Sequence, residues 1–170
     1  EQYLKRALEI KERLFGPEHP DVALNLGNLA FLYDNQGHYA EAERLLKRSL
    51  KIFEKGFGLE HHEVAKNLNN LALLYLKQGR YVEAETLFRR SLAINERAFG
   101  PEHPMVATNL NNLGLTYFNQ GRYDEAEDFY KRSLAIKEKI LGPEHPDVAT
   151  IINNLGLLYH KQGRRNRRIR

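Results

Sequence analysis

The sequence predicts an all-α solenoid of antiparallel helix pairs, on three observations. A 42-residue period runs through the chain: Gly16, Gly58, Gly100 and Gly142 stand one period apart, as do Tyr33, Tyr75, Tyr117 and Tyr159. Within each period apolar residues recur at helical spacing, and no segment sustains the two-residue alternation of a strand. Helix breakers fall at a fixed phase, as Gly-Pro-Glu-His-Pro at 16–20, 100–104 and 142–146 and as Gln-Gly at 36, 78, 120 and 162. Such a chain is a stack of equivalent units, each touching mainly its neighbours, so function is expected on a surface the units share.

The elements follow in order. Residues 1–15 read as a B helix with Leu4, Leu8 and Ile10 near helical spacing. Gly16 can take the left-handed conformation that ends a helix, and Pro17 cannot extend one. Pro20 suits the first turn of the next helix and Asp21 suits its dipole. That A helix runs to about Gln36, with Ala23, Leu26, Leu29, Ala30 and Tyr33 on one side, and stops at Gly37. A B helix opens at Tyr39, turns Ala42, Leu46, Ser49, Leu50 and Ile52 inward, and ends at Gly58. The predicted repeats are 16–57, 58–99 and 100–141, then a partial repeat at 142–163 that holds an A helix alone over Thr150 to Lys161, and a basic divergent tail at 165–170. The opening B helix and closing A helix lack partners, so the chain reads as a piece of a longer array. Head-to-tail self-association would complete both halves between molecules. Small residues, Ala72 or Gly114 facing Ala84 or Ala126, are expected to let the paired backbones approach closely.

Composition narrows the function classes. With 42% hydrophobic and 28% charged residues, the 170-residue chain can bury an ordinary core. It has no cysteine, which removes disulfides and thiolate metal sites and fits a reducing, cytoplasmic setting. No apolar run approaches the roughly 20 residues of a membrane span, and Glu1-Gln2-Tyr3-Leu4-Lys5-Arg6 lacks the layout of a secretory signal. The formal charge of +4 resides in Arg165, Arg167, Arg168 and Arg170. A body that is otherwise neutral and of mixed sign is no partner for nucleic acid.

Leu68-Asn69-Asn70-Leu71-Ala72 with Tyr75, Gln78-Gly79-Arg80-Tyr81 and Glu83-Ala84-Glu85 resembles a tetratricopeptide repeat. The 42-residue variety with its Gly-Pro-Glu-His-Pro linker is similar to the repeats of kinesin light chains and their bacterial relatives, over residues 1–164. Leucine or isoleucine (Leu26, Leu68, Leu110, Ile152) replaces the usual tryptophan, and serine (Ser49, Ser91, Ser133) fills the small position late in helix B. The resemblance implies a right-handed superhelix whose A helices line a concave groove for an extended peptide, hence a protein-interaction scaffold without catalytic activity. The alternative is a sensor or regulatory module of a larger multidomain protein such as a signalling ATPase.

At about 100° per residue, helix A of the second repeat packs Ala65, Leu68, Leu71, Ala72 and Tyr75 and leaves Lys66, Asn70, Leu73 and Lys77 opposite. The matching positions are Leu24, Asn28, Phe31 and Asn35; Thr108, Asn112, Leu115 and Asn119; and Thr150, Asn154, Leu157 and Lys161. Asparagine offers both donor and acceptor to a passing main chain. Asn28, Asn70, Asn112 and Asn154 are therefore expected to hold a ligand backbone, as the resemblance also implies, against the alternative that they brace neighbouring helices. Asn69, Asn111 and Asn153 are placed at the groove edge. Phe31, Leu73, Leu115 and Leu157 could seat an apolar side chain, and Lys66, Lys77 and Lys161 would favour an acidic peptide.

Catalytic chemistry finds no footing. His19, His61, His103 and His145 are one period apart, and equivalent atoms on successive helix pairs cannot converge to the roughly 2 Å of a zinc ligand. His61 and His62 diverge as neighbours on a helix. Phosphate-loop, nucleophile-elbow and zinc-protease patterns are absent. The Glu-Ala-Glu triplets at 41–43, 83–85 and 125–127 read as exposed charge with partners at helical spacing, such as Glu85 with Arg89. No metal or cofactor is expected.

Overall fold

The computed structural model describes residues 1–168. Its helices are α1 (Gln2–Phe15), α2 (Pro20–Asn35), α3 (Tyr39–Phe57), α4 (His62–Lys77), α5 (Tyr81–Phe99), α6 (Pro104–Asn119), α7 (Tyr123–Leu141) and α8 (Pro146–Arg168), with no strand among the described residues. The chain divides within α5 into two compact units, Glu1–Ile94 and the residues from Asn95 on.

In the first unit the apolar stripe of α2 (Val22, Ala23, Leu26, Leu29, Ala30) is buried, as are Leu45, Leu46, Ile52 and Phe53 of α3. α4 contributes Val64, Ala65, Leu68, Leu71 and Leu74, and α5 Ala84, Phe88 and Ile94. The serine late in helix B does more than stay small. Ser49 Oγ donates to the Ala23 carbonyl at 2.9 Å and Ser91 Oγ to that of Ala65 at 2.7 Å. In the second unit Ser133 Oγ donates to Ala107 at 2.7 Å. Each hydroxyl is buried and satisfied by the partner helix, which a methyl at that position could not do.

Within the second unit α6 buries Val106, Ala107, Leu110, Leu113 and Tyr117 at 0% exposure. A Cβ on Gly114 would lie 2.6 Å from the ring of Tyr130 in α7, one turn beyond Ala126. Terminal helices are less covered. Ile152 of α8 is 50% exposed and Tyr159 47%, whereas Leu110 and Tyr117, one period earlier, are at 0%. α1 buries no residue fully and leaves Ile10 45% exposed.

The linkers explain the repeated histidine. Nδ1 of His19, His61, His103 and His145 accepts the backbone N–H of the residue two positions on, at 3.1–3.2 Å. Each is a side-chain N-cap that satisfies one of the open N–H groups of a helix start. An aromatic four residues earlier stacks on three of the rings, Phe15 on His19, Phe57 on His61 and Phe99 on His103, at 4.4–4.8 Å between centroids.

α8 departs from the expected end at Lys161. Gly37, Gly79 and Gly121 turn the chain at φ between 74° and 78°, but Gly163 is not in that region and the helix runs on to Arg168. Tyrosine and Glu-Ala-Glu follow the turning glycines and open a helix that packs back. After Gly163 comes Arg164-Arg165-Asn166-Arg167, which has no apolar stripe to hold a returning helix. The last two positions of the expected tail, 169 and 170, lie outside the described residues.

Candidate peptide-binding site

The first unit gathers most of the expected positions. One concavity of about 200 Å³ is bounded by Ala23, Leu24, Gly27, Asn28 and Phe31 of α2, Ser49 and Phe53 of α3, and Glu63, Lys66, Asn67 and Asn70 of α4. A second of about 200 Å³ is bounded by Gly27, Ala30, Phe31, Asp34, Leu46, Asn70, Leu73, Leu74 and Lys77. Gly27, Phe31 and Asn70 belong to both. Phe31, 68% exposed, is thus a ridge between two hollows, with the Asn70 amide beside it. Asn35 is exposed and Asn69 half-buried, and neither borders either of these two hollows. The lysines are not free cations: Lys77 pairs with Asp34, and Lys66 Nζ lies 3.9 Å from Glu63 Oε2.

In the second unit a concavity of about 170 Å³ lies among Ala107, Thr108, Asn111, Ser133, Lys137, Asp147, Thr150 and Ile151. The threonine hydroxyls are turned onto their own helices, Thr108 to the Pro104 carbonyl at 3.1 Å and Thr150 to that of Pro146 at 3.0 Å. Asn154 Nδ2 donates to Asn111 Oδ1 at 3.1 Å, so this pair braces α8 against α6. Asn112 is only 9% exposed and offers little of its amide to a ligand. Leu115 is half-buried, while Asn119, Asn153, Leu157 and Lys161 are exposed. Asparagines in the same register therefore do different work in the two units.

Two polar layers escaped the sequence reading. One is Asn25, Asn67 and Asn109, buried three residues before the expected column. Their signal was recurrence at one period, obscured because a buried asparagine reads as part of the polar face. The other is centred on Glu43. Tyr75 Oη donates to its Oε1 at 2.9 Å, Arg80 Nη1 to its Oε2 at 2.7 Å, and Lys47 Nζ is 2.6 Å away. The Arg80 guanidinium also covers the Tyr75 ring at 3.8 Å. Burial pushes the Glu43 carboxyl up, but hydrogen bonds from Lys47, Tyr75 and Arg80 together outweigh it and hold the group down at about 2. Tyr33 reaches Glu1 at 3.2 Å and Tyr159 reaches Glu127 at 2.9 Å in the same way. The last glutamate of each triplet has its expected partner at helical spacing, Glu43 with Lys47, Glu85 with Arg89 and Glu127 with Lys131, and Glu43 and Glu127 in addition join helix B to the following helix A.

A family model for the tetratricopeptide repeat matches residues 1–55, 63–139 and 110–167. The chain belongs to this family. Among solved structures, BtubC (BKLC) from P. vanneervenii matches at 29% identity and TM-score 0.84, over 94% of this chain and 64% of that one. A putative kinesin light chain of Podosopora anserina with nearly identical TPR-like repeats matches at 27% identity and TM-score 0.79, over 98% of this chain and 79% of that one. The N-terminal domain of stress-induced protein-1 from C. elegans, at 13% identity and TM-score 0.60, shares the fold. No curated protein matches the chain in sequence. The tetratricopeptide repeats of the chain are of a type that serves protein–protein interaction generally. No described helix is long and apolar enough to cross a membrane, and no three His, Cys, Asp or Glu side chains among the described residues are grouped to hold a metal.

Proposed function

We propose that the array binds an extended segment of a partner protein along the exposed face of its A helices, with the α2 and α4 face of the first unit as the principal contact. The observation that carries this is the pair of hollows flanking Phe31, both bordered by Asn70. Successive side chains of an extended peptide point to alternate sides, so a ridge between two hollows can seat non-adjacent residues while a carboxamide at the ridge pairs with the main chain. The hollow lined by Ala30, Leu46, Leu73 and Leu74 suits an apolar side chain. A peptide library selected on the immobilised protein tests the reading. Phe31→Ala and Asn70→Ala should each weaken a selected peptide by about 1–3 kcal/mol in calorimetry while leaving the helical CD spectrum unchanged. Peptides indifferent to both substitutions would place the site elsewhere.

A further inference from the structure

In register, the residue late in helix B that faces the following helix A is Lys11, Phe53, Asn95 and Lys137 in turn. Three of these carry N–H donors, and each donor is used. Lys11 Nζ donates to Asn25 Oδ1 at 3.3 Å and to the Asp21 carbonyl at 3.5 Å. Asn95 Nδ2 donates to Asn109 Oδ1 at 2.7 Å, and Lys137 Nζ to Asp147 Oδ2 at 2.7 Å. The acceptors come from two register positions, the second residue of helix A (Asp21, Asp147) and the residue four further on (Asn25, Asn109).

The repeat with Phe53 has the acceptors without the donor. Glu63 and Asn67 occupy the two positions, one turn apart on the same face of α4. Asn67 is 4% exposed; its Nδ2 donates to Ser49 Oγ at 2.6 Å, while its Oδ1 is buried without a hydrogen-bond partner. Glu63 Oε2 is likewise buried without a hydrogen-bond partner, its carboxylate held by Lys66 Nζ at 3.9 Å from Oε2 and His62 Nε2 at 3.4 Å from Oε1. Both residues line the hollow of about 200 Å³ beside Phe31, and Phe53, 3% exposed, forms part of its wall.

We propose that this hollow is a subsite for a lysine side chain of the bound segment, whose ammonium donates to Asn67 Oδ1 and Glu63 Oε2 as Lys11 and Lys137 do within the chain. Lysine fits because its compact head carries three donors on a flexible apolar stem, which here lies against Leu24 and Phe31. The inference rests on the peptide-binding reading of the α2 and α4 face and adds a side-chain preference to it.

The test is NMR titration of the isotope-labelled chain with Nα-acetyl-lysine-N-methylamide and with the norleucine analogue, which keeps the stem and lacks the ammonium. The lysine probe should shift the Asn67 side-chain amide saturably, with the norleucine probe at least about fivefold weaker. Asn67→Ile, which places in α4 the residue α8 already carries in register at Ile151, should weaken the lysine probe about tenfold or more. Phe53→Lys should do the same by supplying the donor from within; if that variant fails to fold, Asn67→Ile decides. Equal shifts from the two probes, undiminished lysine binding in Asn67→Ile, or no saturable shift at Asn67 would each overturn the subsite. Retained Phe31-dependent peptide binding beside a failed lysine probe sinks the subsite alone. Lysine-probe binding with no Phe31-dependent peptide sinks the peptide reading, and with it the ligand named here.

Discussion

Gly114 is a residue whose side chain could not be larger. The ring of Tyr130 occupies the space a Cβ would need, at 2.6–3.0 Å for three of its atoms, and Tyr130 is itself 1% exposed with no room to retreat. Gly114→Ala should therefore destabilise the chain by about 1–3 kcal/mol in urea denaturation, despite the better helix propensity of alanine. Gly156, one period later, meets nothing within 4 Å, so Gly156→Ala should raise stability by roughly 0.5–1 kcal/mol. Opposite signs for the same substitution at the same register would show that the neighbour, not propensity, decides. The small residue of helix A was legible from its recurrence, but its neighbour was not. Sequence spacing says which residues share a helix face and leaves open how far around the partner helix the contact falls. For the same reason Asn28, Asn70 and Asn112 look equivalent in the sequence, yet the first two are exposed and the third is buried.

Elements were legible wherever a breaker and a returning apolar stripe occur together. Gly-Pro at 100–101 and Gln-Gly at 120–121 bracket α6, the first ending three residues before its start and the second beginning one after its end, because a glycine in the left-handed region, at φ 84° and 76°, is what the chain needs there. Gln-Gly at 162–163 is the same dipeptide and does not turn, so the dipeptide is permissive and the stripe after it is decisive. The start of α6 carries a further prediction. His103 Nδ1 accepts the Met105 N–H at 3.2 Å, and Phe99 stacks on the ring. His103→Ala should cost about 0.5–2 kcal/mol, with His103→Asn recovering most of it because asparagine is a good N-cap. Chemical denaturation of the pair checks this. If asparagine is no better than alanine, the stacked ring rather than the cap is what holds the linker.

At the scale of the whole molecule, recurring tyrosine–glutamate contacts predict how folding responds to acid. Glu43 is held at about 2, below its ordinary 4.5, and hydrogen bonds from Lys131 and Tyr159 likewise lower Glu127. Hydrogen bonding by Lys137 lowers Asp147 in the same direction. Across the interval between the unfolded and folded values, the unfolded chain binds more protons than the folded one. The stabilisation is therefore complete above pH 4.5 and drains away as the pH falls toward 2. For Glu43, whose side chain is 19% exposed, the loss is on the order of 1–3 kcal/mol after allowing for solvent screening. Urea midpoints measured between pH 7 and pH 3 should fall with pH. Glu43→Gln removes the titrating group while keeping an acceptor for the Tyr75 hydroxyl, so it should start less stable at pH 7 and descend less steeply. Tyr75→Phe should flatten the curve by a smaller amount, because the hydrogen bonds from Lys47 and Arg80 remain. A Glu43→Gln curve parallel to that of the parent would mean that acid acts on some other carboxylate, and that the Glu43 cluster fixes geometry without setting the acid limit.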